Sequence, residues 1–72
     1  MNYYYANMNE TENPGYHHEV HKQGCYWGEK TPLENRKPLG YFENEREAVK
    51  DAKKYYADAD GCAACCPLAH QG

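Results

Sequence analysis

Two short stretches of this 72-residue chain contain a concentration of metal-binding side chains: HKQGC at residues 21–25 and GCAACC at residues 61–66. The first stretch contains a His-x3-Cys pair, and the second contains a Cys-x2-Cys pair. Structural zinc takes four nitrogen or sulfur ligands at tetrahedral corners, and ligands spaced this closely can be presented by a single turn of backbone. The two pairs therefore predict one Zn²⁺ ion bound by both segments. Its four predicted ligands are His21, Cys25, Cys62 and Cys65.

Two further donors lie close to these pairs and leave alternatives open. Cys66 directly follows Cys65, so the two thiolates cannot easily bind the same ion, and we expect Cys66 to be a buried thiol. His70 can replace His21 as the nitrogen ligand, although we favour His21. Cys-x2-Cys pairs also occur in redox sites, and four cysteines can form two disulfides. The redox interpretation is disfavoured because such sites need a larger α/β scaffold than this chain provides.

An additional source of stability is needed because the chain is poor in apolar side chains. Leu, Val and Phe together number six, Ile is absent, and the mean hydropathy is −1.14. Chains with so few of these residues are commonly disordered. A structural zinc ion contributes about 10–16 kcal/mol in small peptides, which is comparable to the net stability of a whole domain. The composition therefore agrees with a small fold that is held together by a metal ion.

Three segments have the composition of β-strands. Residues 1–7 are rich in Tyr, residues 16–22 alternate loosely between apolar and polar side chains, and residues 39–42 form a short aromatic run. Pro14-Gly15 is a strong turn signal, so the first two strands are expected to form a hairpin with a long loop. Residues 24–38 are polar, contain Gly and Pro, and are predicted to be mostly loop.

The clearest secondary-structure pattern is a helix over about 44–59. Asn44 is a favourable N-cap, and Glu47 follows three residues later, as in a capping box. Small or apolar side chains then recur at helical spacing and define one buried face. Gly61 is expected to end the helix. The residues of the predicted buried face are Ala48, Val49, Ala52, Tyr55, Tyr56 and Ala59.

Together these elements predict an α+β fold with a three-stranded antiparallel sheet and one main helix, stapled by the zinc site. The whole chain, 1–72, is expected to form a single small zinc-binding domain, with residues 1–15 flexible in part. The zinc ion would join the end of the second strand to the C-terminus of the helix.

This layout resembles that of small bacterial zinc-site proteins to which no activity is assigned. The resemblance covers about residues 16–70 and implies a zinc site, but it implies no activity. The motifs that carry it are His21-x3-Cys25, Leu39-Gly40-Tyr41-Phe42, Glu47-Ala48-Val49 and Asp60-Gly61-Cys62-x2-Cys65.

The same order of elements is similar to the N-terminal zinc module of the Ada DNA-repair protein. In that module a Cys-x3-Cys pair, a Phe-bearing strand, a helix and a Cys-x2-Cys pair build one zinc site on a small α+β unit. The first ligand of the Ada site is a thiolate that accepts a methyl group from DNA. The matching position here is His21, which has no thiolate. The resemblance therefore implies the fold and the metal, but not the methyl-acceptor chemistry.

Charge and segment composition exclude several function classes. Eight basic residues stand against eleven acidic ones, and the net charge of −3 disfavours a strong attraction to nucleic-acid phosphates. No apolar run approaches the ~18 residues of a membrane span, and residues 1–6 lack the basic and apolar regions of a signal peptide. We therefore expect a cytoplasmic monomer that does not contact a membrane.

The function that we favour is a zinc-stabilised interaction module that binds a protein partner and has no enzymatic activity. It would use aromatic side chains, which are enriched at binding hot spots. The alternative is that these aromatic side chains form the core. They are Tyr3, Tyr4, Tyr5, Tyr26 and Trp27.

Two rival functions remain. The first is nucleic-acid binding through basic residues that lie near Tyr26 and Trp27 in the sequence. These basic residues are Lys30, Arg36 and Lys37. The second is a metal-dependent hydrolase or nuclease that uses His17 or His18.

Overall fold

The structure is a computed structural model that describes residues 1–9, 11–12 and 16–70. Within these residues, five strands, two α-helices and two 3-10 turns follow one another. In order they are β1 (Asn2–Asn7), β2 (Thr11–Glu12), β3 (Tyr16–Lys22), α1 (Tyr26–Glu29), a 3-10 turn (Leu33–Asn35), β4 (Arg36–Phe42), α2 (Glu45–Ala52), β5 (Ala59–Gly61) and a second 3-10 turn (Pro67–Ala69).

Four of the strands form a mixed sheet in the order β5-β3-β1-β4, and the two-residue β2 pairs with the start of β3. β1 is antiparallel to both of its neighbours, as predicted, whereas β5 runs parallel to β3. The prediction of a three-stranded, purely antiparallel sheet was therefore wrong in strand count, and it was wrong in strand direction because the additional strand β5 pairs in parallel. A three-residue strand is too short to show the alternation by which strands are recognised in a sequence. The turn predicted at Pro14-Gly15 lies outside the described residues.

The predicted helix begins where expected but ends earlier. The side chain of Asn44 accepts a hydrogen bond from the Glu47 amide at 3.0 Å, which confirms the predicted N-cap. Helix α2 then ends at Ala52, not near 59, and Ala59 belongs to β5. Pairing of β5 with β3 replaces the last helical turns, because it satisfies the backbone of this segment and buries Ala59 beside the sheet.

The segment predicted to be mostly loop contains α1 and the first 3-10 turn. Gly24 has a φ of +92°, a conformation that favours glycine, and the Cys25 amide donates to the Lys22 carbonyl at 3.0 Å. This tight turn starts α1 immediately after β3. A single helical turn is too short to produce a periodic apolar pattern, so the sequence did not predict it.

The two faces of the sheet have different coverings. Helix α2 packs on one face and contacts β1, β3, β4 and β5. Between them lies a core of small side chains together with Tyr4 and Val20. The opposite face carries Tyr5 and His21, which are register partners, and α1 follows directly after the end of β3. The metal-binding side chains lie on this second face and at its edge.

Candidate metal centre

The structure brings together the four residues that the sequence proposes as ligands. One donor atom from each of them lies within 4.8 Å of the other three. The Nδ1 atom of His21 is 3.8 Å from the sulfur of Cys25 and 3.8 Å from that of Cys65. Zn–S bonds of about 2.3 Å and Zn–N bonds of about 2.0–2.1 Å place tetrahedral ligands roughly 3.6–3.8 Å apart. The distances from His21 to Cys25 and to Cys65 therefore match those between ligands of a tetrahedral metal ion.

The pairing of β3 with β5 brings the two distant ligand pairs into contact. Val20 of β3 is the register partner of Gly61 of β5, so the next residues, His21 and Cys62, lie side by side. The Cys62 amide donates to the Val20 carbonyl at 3.0 Å and extends this pairing by one bond. Gly61 is required here for space, since a Cβ at this position would lie 2.8 Å from the Cys66 carbonyl oxygen. Gly61 thus acts inside a strand and does not end a helix as predicted.

Tight turns present the two remaining ligands. Cys25 precedes the first residue of α1 and is buried. Cys65 lies in the turn after β5, which is closed by a hydrogen bond from the Cys66 amide to the Cys62 carbonyl at 2.7 Å. The Lys22 amide donates to the sulfur of Cys65 at 3.4 Å. This backbone donor stabilises a thiolate at Cys65 and ties the C-terminal turn to the end of β3.

Burial controls the protonation of the four side chains when no metal is bound. It raises the pKa of the Cys25 thiol, and it raises the pKa of Cys62 to about 12. For Cys65, the hydrogen bond with the Cys66 thiol and then burial raise the pKa well above its usual range. Burial lowers the pKa of His21 below its usual value. At neutral pH the site therefore contains three protonated thiols and a neutral imidazole, and a bound cation would replace the thiol protons.

Residues around the ligands add support that the sequence analysis did not identify. The Nδ1 atom of His21 faces the sulfurs, and its Nε2 atom is 3.9 Å from a carboxylate oxygen of Glu19. A carboxylate behind a metal-bound histidine orients the ring and increases its basicity. The Glu-x-His spacing, which places both side chains on one face of a strand, is the sequence signal that would have pointed to Glu19.

A close packing contact also holds His21 in place. Gly28 of α1 packs on the hydroxyl of Tyr5 and on the ring of His21, where a Cβ would approach the histidine to 2.9 Å. The Tyr5 hydroxyl is buried and has no hydrogen-bond partner among the described residues. The close approach explains why glycine is needed at this point of α1.

The two alternate donors lie outside this group of four. His70 donates from Nδ1 to the Gly61 carbonyl at 2.9 Å and lies 3.5 Å from a carboxylate oxygen of Asp60. Cys66 is completely buried in the apolar core, as expected for a structural thiol, and its sulfur is 3.9 Å from that of Cys65. All four cysteines of the chain are free thiols in the structure.

The remaining candidate residues are distributed over both faces of the sheet. His18 lies on the face opposite His21, donates to Asp58 at 2.6 Å and stacks on the ring of Tyr56. His17 is half-buried.

Of the aromatic residues considered for binding, Tyr4 and Tyr5 are buried and Tyr3 is half-buried, whereas Tyr26 and Trp27 are exposed. The sequence allowed these aromatic residues to form either a binding surface or the core, and the structure places some of them in each environment.

Comparisons with protein-family models, with curated proteins and with solved structures found no significant match for this chain. Within residues 1–9, 11–12 and 16–70, every helix is too short or too polar to cross a lipid bilayer.

Proposed function

We propose that this chain is a zinc-stabilised interaction module that binds a protein partner and is not itself an enzyme. The convergence of one imidazole and three thiols is the observation that supports the metal. Thiolate and imidazole ligands at tetrahedral spacing suit Zn²⁺ better than the hard cations that prefer oxygen. Four protein ligands leave no open position for a substrate, which is typical of structural zinc sites and not of catalytic ones.

The proposed partner surface is the segment from Tyr26 to Asn35, which begins directly after the proposed ligand Cys25. Tyr26 and Trp27 are exposed on α1, and Leu33 is 78% exposed in the 3-10 turn. Tyr and Trp are residue types that are enriched at binding hot spots, and Leu33 would add apolar contact area beside them. Cys25 lies at the start of this segment, so the metal would fix the backbone from which these side chains project.

The nucleic-acid alternative has less support because its basic residues are engaged separately. Arg36 donates to the Thr31 carbonyl at 2.8 Å and to the Glu29 carbonyl at 3.2 Å. The ammonium of Lys37 lies 4.4 Å from the ring centre of Tyr55. These contacts, together with the net charge of −3, do not favour a continuous phosphate-binding surface.

Two measurements test the proposed function. Native mass spectrometry with elemental analysis should find one zinc per chain, and removal of zinc by a chelator should abolish the folded circular-dichroism spectrum. A chain that folds without metal and contains two disulfides would refute the metal-stabilised module.

A matched pair of variants tests the partner surface. Leu33→Ser changes a leucine of the proposed surface, and Leu68→Ser changes a leucine that is 71% exposed outside it. We expect Leu33→Ser to weaken capture of the partner from the native host, whereas Leu68→Ser should leave capture unchanged. Equal capture by both variants and the parent protein would contradict the assignment of this surface.

A further inference from the structure

A cavity of about 670 Å³ opens on the face of the sheet that carries His21, directly beside the candidate metal centre. Side chains of Glu19 and His21 contribute to it from the sheet, with Trp27 and Lys30 from α1 and the following turn. Ala63 adjoins it after β5. The cavity is within the size range of small-ligand pockets, and it adjoins the proposed partner surface.

The sheet side of this cavity contributes a carboxylate. Glu19 lines the cavity and is only 8% exposed. A divalent ion held by three thiolates would add one further net negative charge. A buried carboxylate in such surroundings favours a ligand that is cationic and donates hydrogen bonds.

The rim of the cavity already holds a cation of the chain itself. The ammonium of Lys30 lies 4.6 Å from the ring centre of Trp27 and 4.8 Å from that of Tyr26. Cations bind over aromatic faces because the ring quadrupole attracts them. Lys30 therefore marks a position where a positive charge is stabilised by the rim, and it would compete with any cation that enters from outside.

We infer that this cavity binds an arginine side chain presented by the protein partner. The planar guanidinium pairs with the carboxylate of Glu19, stacks on the ring of Trp27 and displaces the ammonium of Lys30. Arginine fits better than lysine because its flat group can make two parallel hydrogen bonds to a carboxylate and can stack on an aromatic ring at the same time. This inference rests on the proposed function and specifies the chemistry of the partner.

The test is a titration of the zinc-loaded, ¹⁵N-labelled chain with a blocked Gly-Arg-Gly peptide, followed by NMR. The control peptide replaces arginine by citrulline, which has nearly the same shape but no charge. We expect saturable shifts of the Trp27 indole and Lys30 amide signals with the arginine peptide, and an affinity for the citrulline peptide that is weaker by about tenfold or more.

Matched lysine variants make the test specific. Lys30→Met should strengthen binding of the arginine peptide several-fold, because the internal competitor is removed. Lys37→Met removes a cation that lies over Tyr55 and should leave the affinity unchanged. Trp27→Ala and Glu19→Gln should each weaken binding. Zinc content is measured on every sample, and if Glu19→Gln does not fold, the Trp27 and Lys30 variants still decide the outcome.

Three results would overturn the inference: no saturable response to the arginine peptide, an equal response to the citrulline peptide, or weaker binding by Lys30→Met. The last result would indicate an anionic ligand for which Lys30 is a partner. If the chain is folded and loaded with zinc but does not bind the arginine peptide, only this inference is overturned. If the chain folds without zinc, the proposed function is refuted whether or not the peptide binds.

Discussion

Replacing Cys65 and Cys66 separately by serine tests the metal centre most directly, because these neighbours have different environments. The sulfur of Cys65 lies 3.8 Å from the His21 nitrogen within the group of four donors. Cys66 is 0% exposed and belongs to the apolar core. One substitution removes a proposed ligand, and the other exchanges a buried thiol for a hydroxyl.

The expected magnitudes differ strongly. Structural zinc contributes about 10–16 kcal/mol in small peptides, whereas a chain of this size has a net stability of roughly 4–11 kcal/mol. Loss of most of the metal contribution in Cys65→Ser therefore exceeds what the fold can tolerate. Burying a hydroxyl in Cys66→Ser costs about 1–3 kcal/mol, equivalent to a lower unfolding midpoint by about 4–8 °C for each kcal/mol.

The assay combines zinc content with thermal unfolding followed by circular dichroism. The parent chain and Cys66→Ser should each contain one zinc and unfold cooperatively, with a lower midpoint for the variant. Cys65→Ser should contain no zinc and show no cooperative transition. The reasoning is refuted if Cys65→Ser retains one zinc and the parent midpoint, or if Cys66→Ser loses its zinc.

Further results are expected for proton release, acid unfolding and two substitutions outside the ligand set. Because the pKa values of the three thiols are raised, zinc binding at pH 7 should release about three protons. Calorimetry in buffers of different ionisation enthalpy measures this release, and a value near zero would contradict thiolate ligation. Burial lowers the pKa of His21 in the folded chain. As the pH falls below about 6.5, the imidazole therefore binds a proton in the unfolded chain before it does so in the folded chain, and the free energy of unfolding decreases. Excess zinc should move the acid midpoint of unfolding to lower pH, and a midpoint independent of zinc would show that the metal does not hold the fold. Gly28→Ala, which places a Cβ 2.9 Å from the His21 ring, should cost about 1–3 kcal/mol in urea unfolding and weaken zinc binding. Asn44→Ala should cost about 1 kcal/mol through loss of the N-cap, with zinc affinity unchanged.

Local features of the chain were predictable where a few neighbouring residues carry the signal. The N-cap at Asn44 depends on a hydrogen bond to a residue three positions away, and it was confirmed. The two ligand pairs were recognisable because each lies within one turn of backbone. By contrast, the predicted C-terminal end of α2 was wrong. The periodic apolar pattern continues to Ala59, but it cannot show that this residue pairs with the sheet as part of β5.

The amino-acid sequence by itself indicated which side chains could bind a metal ion, since their types and short spacing are local properties of the chain. Only the tertiary structure decided how the distant pairs meet. The parallel pairing of Val20 with Gly61 sets His21 beside Cys62, and no local pattern encodes that register. Likewise, Glu19 and Trp27 are too far apart in the sequence to form a motif, and they line one cavity only because α1 follows β3 onto the same face of the sheet. Contacts between segments distant in sequence depend on the packing of the whole chain, and they are therefore visible only in the folded protein.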